Sequence, residues 1–214
     1  MKLVLTCALA MLVVSTIPAE AQLCAGAPSF RNNPLQVGAS ALFRGGAQGV
    51  GGSFAAGGES LFAAAGVSVV NFDDVDSSAT TVSGTIGVDL QADDNARVFL
   101  CPIGQVAFTA GPDFGPVDVS TITLTGGVRV GVIASQNDTL TVIPTFGLFA
   151  VHSRVTAEAG GSDNTVSDPS GLASVGAGLL FNRNVTLIPE VLVPFSAGDG
   201  DALLSIKVLY SLGR

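Results

Sequence analysis

Apolar and polar residues alternate along most of this chain. Between Val119 and Ile133, the side chains of Ile122, Leu124, Val128, Val130 and Val132 share one parity, and Thr121, Thr123, Thr125, Gly127, Arg129 and Gly131 share the other. The same split runs through 79–91, with Val82, Ile86, Val88 and Leu90 against Thr81, Ser83, Thr85, Gly87, Asp89 and Gln91. It returns near the end, where Leu204, Ile206, Val208, Tyr210 and Leu212 oppose Ser205, Lys207 and Ser211. A period of two with one apolar face is the signature of a β-strand. The abundance of Gly, Val, Thr and Ser favours strands and turns over helices. Ten such segments are expected, at 34–43, 47–57, 60–72, 79–91, 96–110, 118–134, 138–156, 169–182, 184–196 and 201–213.

The spacers set the architecture. Gln91 to Asn95, Ser135 to Asp138 and Asn182 to Asn184 are short and polar. Phe72 to Ser78, Gly111 to Asp118, Gly160 to Pro169 and Ala197 to Asp201 are longer and acidic or glycine-rich. Short turns at one end and longer loops at the other fit an antiparallel, up-and-down transmembrane β-barrel. Many segments also reach the roughly 9–11 residues that a tilted spanning strand needs. Ten strands are expected. Eight is the alternative, because Leu35 to Gly57 is so rich in Gly and Ala that its outward face is only weakly lipophilic. Thr141-Val142-Ile143-Pro144 and Thr186-Leu187-Ile188-Pro189 echo each other early in two strands, where proline marks local bends.

Composition sharpens this picture. Only 12% of residues are charged, and mean hydropathy is +0.57, whereas soluble domains carry about a quarter charged residues. A soluble, secreted β-sandwich is the competing reading. It would expose its second face to water, and here that face is mostly Gly, Ser and Thr. Lys2, an apolar stretch from Leu3 to Ile17 and the Ala19-Glu20-Ala21 cleavage pattern predict a signal peptide over 1–21, with the exported chain starting near Gln22. A lipoprotein signal at Cys24 is disfavoured by Leu23 before it. The formal charge of −8 argues against a nucleic-acid partner.

Two cysteines lie beyond the signal, Cys24 and Cys101, and an even pair in an oxidising compartment predicts a disulfide. Alternation in the fifth segment turns Pro102, Gly104, Val106 and Phe108 outward, and Cys101, Ile103, Gln105, Ala107 and Thr109 inward. Cys101 follows a short turn, so residues 22–33 are expected to fold into the periplasmic mouth and be pinned there, with 34–214 forming the barrel. Asp89, Arg129, Glu190 and Lys207 also fall on inward faces. Isolated buried charges are costly, so these four are expected to pair as a lumen charge network. A small pore lined by them is the other reading.

Candidate chemistry is thin. The single histidine, His152, is placed near the outer end of the seventh segment, and Asp73, Asp74 and Asp76 lie in another external loop. A His–Asp pair can activate water or a serine, but no G-x-S-x-G elbow is present. No zinc-type His/Cys spacing occurs, and the acidic loops lack the D-x-[DN]-x-[DN]-G calcium pattern, although they allow loose divalent-cation binding. Neither enzymatic activity nor a cofactor is expected.

The signal peptide, alternating strands, loop rhythm and terminal Tyr210-x-Leu212 resemble the small bacterial outer-membrane β-barrels, in the broad class of OmpA-, OmpX- and OmpW-like proteins. The resemblance spans the whole exported chain and is architectural. It implies an outer-membrane location, outer-membrane lipid around the barrel and an assembly machinery that reads the last strand. Such proteins commonly end in an aromatic residue, whereas this chain ends Leu212-Gly213-Arg214, and its aromatic complement is twelve Phe, one Tyr and no Trp. Ten-stranded barrels include the omptin proteases and eight-stranded ones the lipid A-modifying enzymes, but His152-Ser153-Arg154 matches neither pattern. The functional expectation is a structural barrel or small-solute pore. The alternative is a surface or periplasmic binding module.

Overall fold

A computed structural model describes residues 27, 30, 34–58, 60–73, 77–91, 97–112, 117–160, 162–195 and 201–212. All regular structure among these residues is β. In chain order the strands are β1 Leu35–Arg44, β2 Ala47–Gly57, β3 Leu61–Phe72, β4 Ser77–Val88, β5 Leu90–Gln91, β6 Val98–Ala110, β7 Val117–Val132, β8 Ser135–Gln136, β9 Leu140–Ala159, β10 Ser162–Phe181, β11 Val185–Pro194 and β12 Leu203–Leu212. β5 and β8 are two-residue pieces that pair with β6 and β9. The other ten form a single closed ring, in the order β1-β2-β3-β4-β6-β7-β9-β10-β11-β12, with β12 returning to β1. Every neighbouring pair is antiparallel.

Closure decides between the readings left open by the sequence. A sandwich needs two sheets packed face to face, and here one sheet closes on itself. The glycine-rich β1 and β2 pair along their full length, from Leu35↔Ala56 to Arg44↔Ala47, so the ring has ten strands rather than eight. The outward parity is apolar and exposed. Val82, Ile86, Val106, Phe108, Ile122, Leu124, Phe146 and Leu148 all present their side chains to the surroundings. Exposure of Ile86 at 65% and Val82 at 58% would be costly in water but is favourable against hydrocarbon. The inward parity carries the buried residues, among them Thr81, Ser83, Thr85, Thr121, Thr123 and Ser205.

Three expectations change. The segment 79–91 is interrupted, because Asp89 falls in a break between β4 and β5, where its backbone N–H donates to the Ser60 carbonyl at 2.7 Å. The stretch Gly160 to Pro169 is not a loop. β9 and β10 are each 20 residues long and stay paired from Leu140↔Phe181 to Ala159↔Ser162, with Gly160 taking the left-handed φ of +58° at the reversal. Ladder hydrogen bonds extend this hairpin where side-chain alternation gives no signal, because Ser162 to Asp168 are largely exposed on both faces. Finally, the first two strands join through the tight Gly45–Gly46 turn, so the end holding the longer loops also holds two short reversals. Residues 1–21 and Cys24 lie outside the described residues. Of the segment 22–33, Ala27 and Phe30 are described.

Candidate functional site in the barrel interior

The interior is organised in layers. At the end where β1 begins and β12 ends, Ala27 and Phe30 are buried together with Ala55, Phe62, Ala64, Phe99, Cys101, Ile103, Ile188 and Leu209. The Phe30 and Phe62 rings stack with centroids 6.0 Å apart. Glycines on the wall make room for these rings. A Cβ on Gly57 would meet the Phe30 ring at 2.6 Å, and one on Gly87 would collide with the Phe62 ring. Toward the opposite end lies a second apolar layer, formed by Leu42, Phe149, Val151, Leu172, Leu192 and Leu203.

Between these layers sits an ionic cluster. Arg129 on β7 donates through Nη2 to Glu190 Oε1 on β11 at 2.7 Å. Lys207 on β12 donates through Nζ to Glu190 Oε2 at 3.2 Å. Both partners of the shorter pair are 1% exposed, so the cluster is sealed from solvent. Strand periodicity explains its place. Along β11, Glu190 follows Ile188 of the first apolar layer and precedes Leu192 of the second; along β12, Lys207 lies between Leu209 and Leu203. Gly147 on β9 is directly opposite Arg129, and Gly176 on β10 is directly opposite Glu190. A Cβ on Gly147 would meet the Phe149 ring and Ser174 Oγ at 2.6 Å, and one on Gly176 would meet Glu190 Cβ at 3.2 Å. The Arg129 guanidinium also lies over the Phe149 ring, 5.5 Å from its centroid. Such an arrangement holds two buried cations on one carboxylate.

Asp89 does not join this cluster. It is half-buried in the β4–β5 break, and its Oδ1 has no hydrogen-bond partner. Cys101 is fully buried at the inward position predicted for it, in the same apolar layer as Ala27 and Phe30; the predicted partner Cys24 is outside the described residues.

The histidine is also displaced from its expected setting. β9 continues to Ala159, so His152 is well inside the strand rather than at its outer end, and it faces outward between Leu124 on β7 and Pro169 on β10. Three strands, β4, β6 and β7, separate it from Asp73, and no His–Asp pair forms between these two. Asp74 and Asp76 are outside the described residues. Among the described residues no group of three or more His, Cys, Asp or Glu side chains is placed to hold a metal ion.

The sequence reading missed the outer wall. On the exterior of the far rim, a groove of about 440 Å³ is lined by Ser78, Thr80, Ala110, Gly111, Asp118, Val119, Ser120, Thr156 and Glu158. Asp118 and Glu158 are directly opposed on β7 and β9, and Glu158 is opposed in turn to Asp163 on β10. Extended strand partners at 156–165 would have revealed this row, but the stretch read as a loop.

No family model matches the chain, and no curated protein matches it in sequence. Solved structures with similar folds include the attachment invasion locus protein Ail of Yersinia pestis, at 10% identity and a TM-score of 0.41, covering 84% of this chain and 97% of that one. Neisserial surface protein A is similar at 12% identity and a TM-score of 0.43, with 84% and 97% covered. The porin KdgM, solved with oligogalacturonate, is similar at 8% identity and a TM-score of 0.45, with 83% and 99% covered. Likeness at this level transfers no activity, and the architecture rests on the chain's own geometry: a closed, ten-stranded antiparallel β-barrel with an apolar exterior and a filled interior.

Proposed function

We propose that this chain is a bacterial outer-membrane protein whose barrel is closed to solute flow and serves as a rigid envelope scaffold. One observation carries the reading: the buried Arg129–Glu190–Lys207 cluster is enclosed between two apolar layers, so an ion crossing the barrel would have to disrupt both. The apolar exterior supports insertion in a bilayer, which only closed barrels achieve with strands. Outward-facing Tyr210 and Leu212 on the last strand suit recognition by a barrel-assembly machinery. In planar bilayers the purified protein is expected to give no stable ohmic steps. Regular steps whose conductance scales with salt would contradict the scaffold reading in favour of a pore.

Within this reading, residues 22–33 plug the inner mouth and Cys24–Cys101 tethers the plug. The support is that Ala27, three residues after Cys24, is packed in the same layer as buried Cys101. Non-reducing electrophoresis after thiol alkylation should show no modified cysteine in the exported protein, whereas two alkylated thiols would remove the tether. A second reading, a surface-binding module, is favoured by the long β9–β10 hairpin, whose tip residues Ser162 to Asn164 are exposed on both faces.

A further inference from the structure

The exterior wall changes character over three ladder rows. Along β4, β6 and β7, the last large exposed apolar residues before the rim are Val82, Phe108 and Ile122, which are neighbours across the strands. The next strand in that row contributes Arg154, opposite Ile122, exposed and facing outward, with no ion pair among the described residues. One row nearer the rim the wall carries the hydroxyls of Thr80, Ser120 and Thr156, with Ala110 between the first two, and the row beyond holds Asp118, Glu158 and Asp163. The groove of about 440 Å³ spans these last two rows and opens outward rather than into the lumen.

A guanidinium at the edge of an apolar belt finds its best partner in the phosphates of the lipid headgroup layer, to which a long side chain can extend while its stem stays in hydrocarbon. The hydroxyls and carboxylates above it suit a ligand rich in hydroxyl donors. Serine and threonine both donate and accept, and carboxylates accept only. A phosphate alone would be repelled by Asp118 and Glu158, so the groove is matched to a saccharide and Arg154 to the phosphate that the saccharide carries.

We propose that this outer groove, with Arg154 beneath it, binds the headgroup of a phosphorylated glycolipid in the leaflet around the barrel. The phosphate accepts hydrogen bonds from the Arg154 guanidinium. The sugar hydroxyls donate to Asp118 and Glu158 and exchange hydrogen bonds with Ser120 and Thr156. The site deepens the outer-membrane reading and rests on bilayer insertion, which is measured separately.

The full-length exported protein, in detergent, is mixed with bis-phosphorylated lipid A, phosphatidylglycerol or phosphatidylcholine, and the bound lipid is counted by native mass spectrometry. Lipid A should be retained at least tenfold more than either phospholipid. Arg154→Gln and the double variant Ser120→Val/Thr156→Val should each lose most of that preference. Both act at outward positions, so each should still show the heat-dependent gel shift of a folded barrel. Inorganic phosphate in excess should not displace lipid A; displacement would mark a simple phosphate site and overturn the assignment. Equal retention of lipid A and phosphatidylglycerol, or unchanged preference in both folded variants, would also overturn it. Failure of the wild-type chain to insert in liposomes would instead defeat the membrane reading on which the site rests.

Discussion

At the scale of single residues, the sharpest consequence concerns Glu190. It neutralises two buried cations at once, so truncating it leaves Arg129 and Lys207 charged in a sealed interior. Breaking a buried ion pair by removing one partner costs about 3–5 kcal/mol, whereas replacing all members by well-packed apolar groups is often neutral or stabilising. Glu190→Ala should therefore lower the urea midpoint of the detergent-folded protein strongly, and the triple change Arg129→Met/Glu190→Leu/Lys207→Met should recover most of it. A single variant as stable as the parent would mean that the cluster contributes nothing. Parity along each strand was enough to place Arg129, Glu190 and Lys207 inside. It did not reveal that Arg129 on β7 meets Glu190 on β11, because that depends on how the ring closes. Asp89 had the right parity but the wrong neighbourhood, since the β4–β5 break takes it out of the regular ladder. His152 was given an end position from a strand boundary placed three residues too early.

At the scale of elements, strands with one apolar face were legible and the β9–β10 extension was not. Hydrophobic alternation reports burial or lipid contact, and Ser162 to Asp168 have neither. They are held by their pairing with β9 alone, since β10 meets β11 only from Leu172 onward among the described residues. An edge like this invites unwanted pairing, and Asp163, Asp168 and Pro169 blunt it, because charge and a missing N–H both discourage an added strand. A segment with one paired edge and two exposed faces should open far more readily than the barrel wall. Hydrogen exchange should therefore be at least a hundredfold faster at Ser162–Asp168 than at Leu172–Leu180. Uniform protection along β10 would show that something covers the projecting half.

At the scale of the whole molecule, a closed ring of ten strands lets a sequence poor in charge present an apolar outer face and bury layers of side chains inside. The fold was readable because the parity of Val, Ile and Leu repeats in most segments, least clearly in the Gly- and Ala-rich β2. The packed interior was less so, because the rings of Phe30, Phe62 and Phe149 fit inside only where wall glycines leave room for them. Heat-modifiability tests the membrane barrel most directly. The exported protein is recovered from the membrane fraction and run on a detergent gel with and without boiling. The account predicts that it sediments with outer membranes and that the unboiled band migrates as a compact species that shifts on heating. A soluble protein whose mobility is the same before and after boiling would contradict it.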